Sequence, residues 1–300
     1  MERDDRAVFR RPVMAWALLL PTLVILSLFL YYPTIQTFLL SFYQVNFALI
    51  FADKIFVGLE NYKTVFTDPV YRRVLLNTLL FSGSVVALSL VTGLALAVLA
   101  NQKVRGARVY RLLLIWPYAL SPAVAGVIFL FLFNPQAGVV NYVLGEVFGV
   151  RPDWLTDPRL AFLVVVLTAV WKNVGYNVVF YLAALQNLPG EVLEAALVDG
   201  ATPWQRFFRI TLPLLSPMTF FLLVMNSIYA FFDTFAIIDL ITRGGPNGAT
   251  NTLIYSIYRD GFEFFNTGMA AAQSVVLFVG VVLLTMVQFR FGERRVHYGG

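Results

Sequence analysis

Apolar residues fall into six long runs, near 13–32, 75–100, 112–133, 161–186, 213–241 and 268–289. Each can cross a hydrocarbon core of about 30 Å as a helix of about 20 residues. The first run belongs to a longer apolar stretch, 13–43, whose interruption at Tyr32-Pro33 predicts an exit into the membrane interface. Between the fourth and fifth runs lies a polar, small-residue island, 189–213, and its grammar predicts a helical hairpin. Gly190 to Asp199 reads as a short helix after Pro189, with Glu191 in its first turn, where a carboxylate suits the helix dipole. Gly200 stands where a left-handed cap ends a helix. Thr202 as N-cap, Pro203 at the first position and Gln205 at the capping-box position then start a second helix. Leu212-Pro213 is expected to end that helix and begin the next run.

Composition turns these runs into membrane spans. The 300 residues are 59% hydrophobic and only 13% charged, against roughly 25% charged for a soluble domain. The mean hydropathy of +0.75 agrees. The chain reads as an all-α integral membrane protein with six transmembrane helices. A net charge of +5 then describes loops lying on anionic membrane lipid, and no nucleic-acid partner is expected. The basic lead (Arg3, Arg6, Arg10, Arg11) before the first run reads as a retained signal-anchor. Basic residues set the orientation: with the N-terminus inside, thirteen fall in cytoplasmic segments and eight outside. The short 101–111 loop alone carries Lys103, Arg105, Arg108 and Arg111. That bias predicts both termini inside the cell and places the 189–213 hairpin there too. The expected division is a cytoplasmic segment 1–12, a membrane domain 13–289 and a cytoplasmic tail 290–300.

Enzyme chemistry finds little support. No cysteine is present and the one histidine is His297, so thiol catalysis, a histidine triad and a metal site are not expected. None of the four lysines follows a glycine, which rules out a G-x-x-x-x-G-K phosphate loop. Polar groups within apolar spans are costly, and so are candidates for function. The fourth run holds Lys172, Asn173, Tyr176 and Asn177; the fifth holds Asn226, Tyr229 and Asp233, which share one helix face by their spacing. A lysine and an aspartate on neighbouring helices can neutralise each other as a buried clamp, or the set can contact a solute. The residues alone leave both open.

The hairpin carries a longer pattern. Glu194-Ala195-Ala196, then Gly200, Ile210 and Leu212-Pro213, resembles the EAA loop of binding-protein-dependent ABC importer permeases, E-A-A-x3-G-x9-I-x-L-P, in every element. Phe56 to Tyr62 resembles the F-x-G-L-x-N-Y segment of the family's sugar-importing branch. Trp116 to Ala125, Phe131 to Pro135, Tyr229 to Phe235, Thr252 to Phe262 and Ala270 to Val276 are similar to the A-type permease branch that imports sn-glycerol-3-phosphate. This resemblance runs from the first helix to Tyr298 and departs at Trp116 and at Asn247-Gly248.

It implies a type I importer permease fold and a subunit that pairs with a second, homologous permease. The further partners implied are two ATPase subunits and an external solute-binding protein, in a bacterial cytoplasmic membrane. ATP and magnesium would then be bound by the ATPase partners, with no cofactor on this chain. Glu194, Ala195, Ala196, Asp199, Gly200, Ala201 and Trp204 would form the contact with the ATPase. The loops at 134–159 and 242–268 would face the binding protein. The rivals are the same machine carrying a neutral sugar or oligosaccharide, an ion-coupled secondary transporter, and a membrane-embedded enzyme.

Overall fold

The computed structural model describes residues 12–45, 54–102 and 105–292. Arg3, Arg6, Arg10, Arg11, Lys103, Arg294 and Arg295, on which part of the orientation argument rests, lie outside them, as does His297. The chain opens with α1 (Pro12–Leu26), a wide π-helical turn at Ser27–Tyr31, and α2 (Tyr32–Leu40). Two short strands, β1 (Tyr43–Gln44) and β2 (Ile55–Phe56), pair antiparallel with Tyr43 opposite Phe56. Then come α3 (Glu60–Thr67), α4 (Pro69–Ala100), α5 (Ala107–Ala119), α6 (Pro122–Leu132), α7 (Val139–Phe148) and α8 (Pro158–Gln186). The hairpin region holds α9 (Gly190–Val198), α10 (Pro203–Arg206), a second π-helical turn at Phe207–Thr211, and α11 (Leu212–Leu214). The last part comprises α12 (Ser216–Phe232), α13 (Phe235–Ile241), α14 (Leu253–Tyr258), a third π-helical turn at Arg259–Glu263, and α15 (Thr267–Gly292).

Short-range chemistry starts the long helices. Asp68 accepts from the Val70 N–H at 2.8 Å, and Pro69 occupies the first helical position of α4. Asp157 does the same for α8, accepting from Arg159 and Leu160 at 2.8 and 3.0 Å ahead of Pro158. A capping carboxylate satisfies orphan N–H groups, and proline has none to satisfy at that place. Both helices therefore begin earlier than hydropathy alone suggested, at 69 and 158 rather than 75 and 161.

Helix α8 is the axis of the fold. One core packs its Val164, Val165, Ala169 and Val170 against Phe81 and Val85 of α4, Phe129 of α6, Tyr229 of α12 and Ile237 of α13. A second core, towards the hairpin, packs Tyr181, Leu182 and Leu185 against Ala97, Ala100, Leu215 and Leu222. Small residues let these backbones approach. A Cβ at Gly175 would lie 2.7 Å from the Ile115 carbonyl oxygen, and one at Gly93 would collide with Asn177. By contrast, the most apolar stretch of Val13–Leu40 has no buried residue, and its side chains face outward all round.

Four unbroken stretches among the described residues are long and apolar enough to cross a membrane: Val13–Leu40, Pro69–Ala100, Pro158–Gln186 and Thr267–Arg290. Two bent pairs raise the number to six if each is one span: α5 with α6, at 102°, and the 203–214 arm with α12, at 64°. The expected single helix at 112–133 is thus two helices. Leu120 is extended, and Ser121 caps α6 by accepting from the Val124 N–H at 3.2 Å. The 213–241 run is likewise divided, at Leu215 and at Asp233-Thr234.

Two proline stops expected from sequence do not stop their helices. The chain stays helical through Pro33 to Leu40 and through Pro213 to Leu214. In each case a π-helical turn precedes the proline, and a widened turn gives the ring room without leaving the helix. The all-α reading needs one small addition, the β1–β2 ribbon. The Phe56–Tyr62 segment latches onto it: Asn61 Nδ2 donates to the Ser41 and Tyr43 carbonyls at 2.9 and 3.1 Å.

Candidate functional site

Five of the seven polar residues singled out in the fourth and fifth runs, Lys172, Asn173, Tyr176, Tyr229 and Asp233, line one cleft of about 230 Å³. Lys172 is only 9% exposed. Its ammonium lies 4.9 Å from the centre of the Tyr118 ring and 5.6 Å from that of Tyr229, a cation–π arrangement that stabilises a poorly hydrated charge. Both rings are held in place. The Tyr229 hydroxyl donates to the Ala169 carbonyl at 3.1 Å, and the Tyr118 ring lies 5.4 Å from that of Tyr176.

Asp233 ends α12 and is exposed at the cleft. It makes no ion pair with Lys172; the pairs among the described residues are Lys63–Glu60 and Arg259–Glu263. The direct ion pair that the buried clamp entertained from sequence would form is therefore not made.

Asn177 and Asn226 sit behind the cleft, both fully buried. Asn226 Oδ1 accepts from Asn173 Nδ2 at 2.6 Å and Asn177 Nδ2 at 3.1 Å, while its own Nδ2 donates to Asn177 Oδ1 at 2.7 Å. The amides cross-link α8 to α12 and spend their hydrogen bonds on each other. Spacing alone put Asn226 on the same face as Tyr229 and Asp233; packing turns it inward.

Tyr118, Pro122, Met225 and Ile228 complete the lining and were not singled out from sequence. The signal for the first two was present. Trp116-Pro117-Tyr118 and Ser121-Pro122 are a helix breaker and a helix starter inside an apolar run.

The hairpin forms from its local sequence. Gly200 has φ +75°, the left-handed conformation. Ahead of it the Ala201 N–H bonds to the Ala196 carbonyl at 3.0 Å and the Gly200 N–H to Leu197 at 3.1 Å, the paired bonds of a Schellman cap. Thr202 and Gln205 exchange both capping-box bonds, at 2.9 and 3.3 Å. Glu194, Ala195, Asp199 and Gly200 are exposed, Ala201 is half-buried, and Ala196 is buried at 7%. Val198 and Trp204 are 88% and 73% exposed, so the hairpin presents apolar side chains beside a carboxylate.

The comparisons with known proteins agree with one another. Residues 89–297 match the family described as "Binding-protein-dependent transport system inner membrane component". The chain is 45% identical to the sn-glycerol-3-phosphate transport system permease protein UgpA of Pectobacterium atrosepticum, over 98% of this chain and 99% of that one. The UgpA of Agrobacterium fabrum is also 45% identical, over 97% and 99%. Among solved structures, a chain of the bacterial alginate ABC transporter, crystallised in complex with an alginate pentasaccharide-bound periplasmic protein, superposes with a TM-score of 0.83. It is 25% identical, covering 97% of this chain and 98% of that one. The UgpA relatives are transport permeases by name, and the helical architecture built around α8 matches that of the alginate transporter chain. The chain belongs to the inner-membrane permease family of binding-protein-dependent ABC transporters.

Proposed function

We propose that this chain is one transmembrane subunit of an ATP-driven importer of sn-glycerol-3-phosphate or a related glycerophosphodiester, forming half of the translocation pathway. The observation that carries the reading is identity of 45% to permeases of that named system over nearly the whole of both chains. The bent pairs each count as one span, which makes six, and both termini lie in the cytoplasm. Segment 1–12 and the tail 290–300 are cytoplasmic, flanking the membrane domain 13–289. A second homologous permease completes the pathway, two ATPase subunits bind ATP and magnesium, and an external binding protein delivers the solute.

The hairpin is the lever. Closure of the ATPase dimer moves the ridge formed by Glu194, Ala195, Ala196, Asp199, Gly200, Ala201 and Trp204. The connected helices then rock between inward- and outward-facing states. The exposed apolar side chains at Val198 and Trp204 support this reading, because they offer a partner apolar contact beside a carboxylate.

The test couples transport to topology. Cells lacking their own system should take up sn-glycerol-3-phosphate only when this chain is expressed with its permease, ATPase and binding-protein partners. The absence of native cysteine makes single-cysteine labelling clean. Arg105→Cys and Gln205→Cys should label only from inside, and Lys63→Cys, Asp153→Cys and Asn247→Cys only from outside. Labelling of Gln205→Cys from outside would overturn the topology and the lever together, and no uptake by the full complex would overturn the substrate.

A further inference from the structure

The Lys172 ammonium is buried among aromatic rings, and no carboxylate lies within ion-pairing distance of it. Its three N–H donors make no hydrogen bond to the described residues, and the side chain lines the cleft. The ring faces and the more distant Asp233 carboxylate compensate this charge only in part, which leaves its N–H donors for an anion that comes and goes. Pro122, the first residue of α6, lines the same cleft. The positive end of that eleven-residue helix therefore adds to the potential there. Acceptors line the same cleft. Asn173 spends its Nδ2 on Asn226, leaving Oδ1 free to accept, and Asp233 offers an exposed carboxylate.

We infer that this cleft is a bipolar subsite for a small polyol phosphate, with Lys172 receiving the phosphate and Asn173 Oδ1 and Asp233 accepting the hydroxyl protons. The inference rests on the importer reading above and names the residue that makes its pathway select a phosphorylated solute over an unphosphorylated one. Within this chain the cleft holds about 230 Å³, room for a small solute.

The experiment uses the full complex in vesicles, with the binding protein and sn-glycerol-3-phosphate. Lys172→Met keeps the length and removes the charge, and uptake should fall about tenfold or more, the worth of a charge-assisted hydrogen bond. Lys172→Arg should retain most of it. Because the chain has no cysteine, Lys172→Cys can be rebuilt chemically. An aminoethylating thiol reagent restores an ammonium at that place, while a methylating one restores only bulk. Rescue by the first reagent and not the second, with ATPase co-purification intact throughout, is the expected result. Wild-type uptake by Lys172→Met, or equal rescue by both reagents, would overturn the subsite while leaving the importer reading in place. Failure of the wild-type complex itself to take up sn-glycerol-3-phosphate would instead overturn the parent reading and this inference with it.

Discussion

The assignment of Asn226 as a clamp behind the cleft makes a quantitative prediction. Truncating it to alanine removes four hydrogen bonds: two accepted by Oδ1 and two donated by Nδ2, to Asn177 Oδ1 and to the Leu222 carbonyl. Asn177 Nδ2 keeps the Asn173 carbonyl at 3.2 Å, so two groups are orphaned, Asn173 Nδ2 and Asn177 Oδ1. Orphaned buried polar groups destabilise by about 1–3 kcal/mol each, which gives an upper range of about 2–6 kcal/mol. Three of these bonds are interhelical, and at the membrane average of about 0.6 kcal/mol they give about 1.8 kcal/mol; the fourth, to the Leu222 carbonyl, lies within α12. The two estimates meet at about 2 kcal/mol.

Asn226→Leu separates this loss from the cavity that alanine leaves, because it fills the volume and orphans the same groups. The apparent melting temperature of the detergent-purified complex should drop by roughly 3 °C for Asn226→Leu. Asn177→Leu combined with Asn226→Leu should recover part of the drop, because replacing both partners leaves fewer orphans than replacing one. The reasoning is refuted if Asn226→Leu melts with wild type while uptake falls tenfold or more. That pattern would mean the side chain meets the solute and not its neighbours.

Two further outcomes are expected. At Gly200 a side chain has open space around it but sits at φ +75°, so Gly200→Val strains the backbone by about 1–2 kcal/mol and re-aims the second hairpin helix. Uptake and solute-stimulated ATPase activity should fall together while the chain still inserts in the membrane, and Glu194→Lys should do the same by reversing a charge; normal values for both activities would reduce the hairpin to a connector. Asp260, 7% exposed, accepts from Gln273 and from the Tyr71 hydroxyl at 3.1 Å. Burial pushes its carboxyl above the ordinary 3.8, against the pull of those hydrogen bonds and of Arg259. The folded state then holds this proton more tightly than the unfolded one, so the group's contribution to stability declines as pH rises from the ordinary value towards the raised one. Asp260→Asn should flatten that decline and melt no lower than wild type near neutral pH; melting curves across pH check it, and a steeper decline in the variant would contradict it.

Much of the molecule was legible in its sequence because the information is local. Thr202, Pro203 and Gln205 lie within one turn of the helix they start, and Gly200 takes its left-handed backbone for lack of a Cβ. The membrane class follows from hydropathy summed over whole spans. Such features need no partner from elsewhere in the chain. Tertiary structure alone decided which face of each helix meets which neighbour. Spacing placed Asn226 beside Tyr229 and Asp233, yet Asn226 turns to Asn177 and only the other two reach the cleft. Tyr118 joins them because Gly175 lets α5 lie against α8, and because the chain turns by 102° after Ala119. In a membrane the surroundings and the protein interior are both apolar, so hydropathy sets no rotation about a helix axis. Close backbone approach at Gly93 and Gly175, and the mutual satisfaction of three buried amides, set it instead.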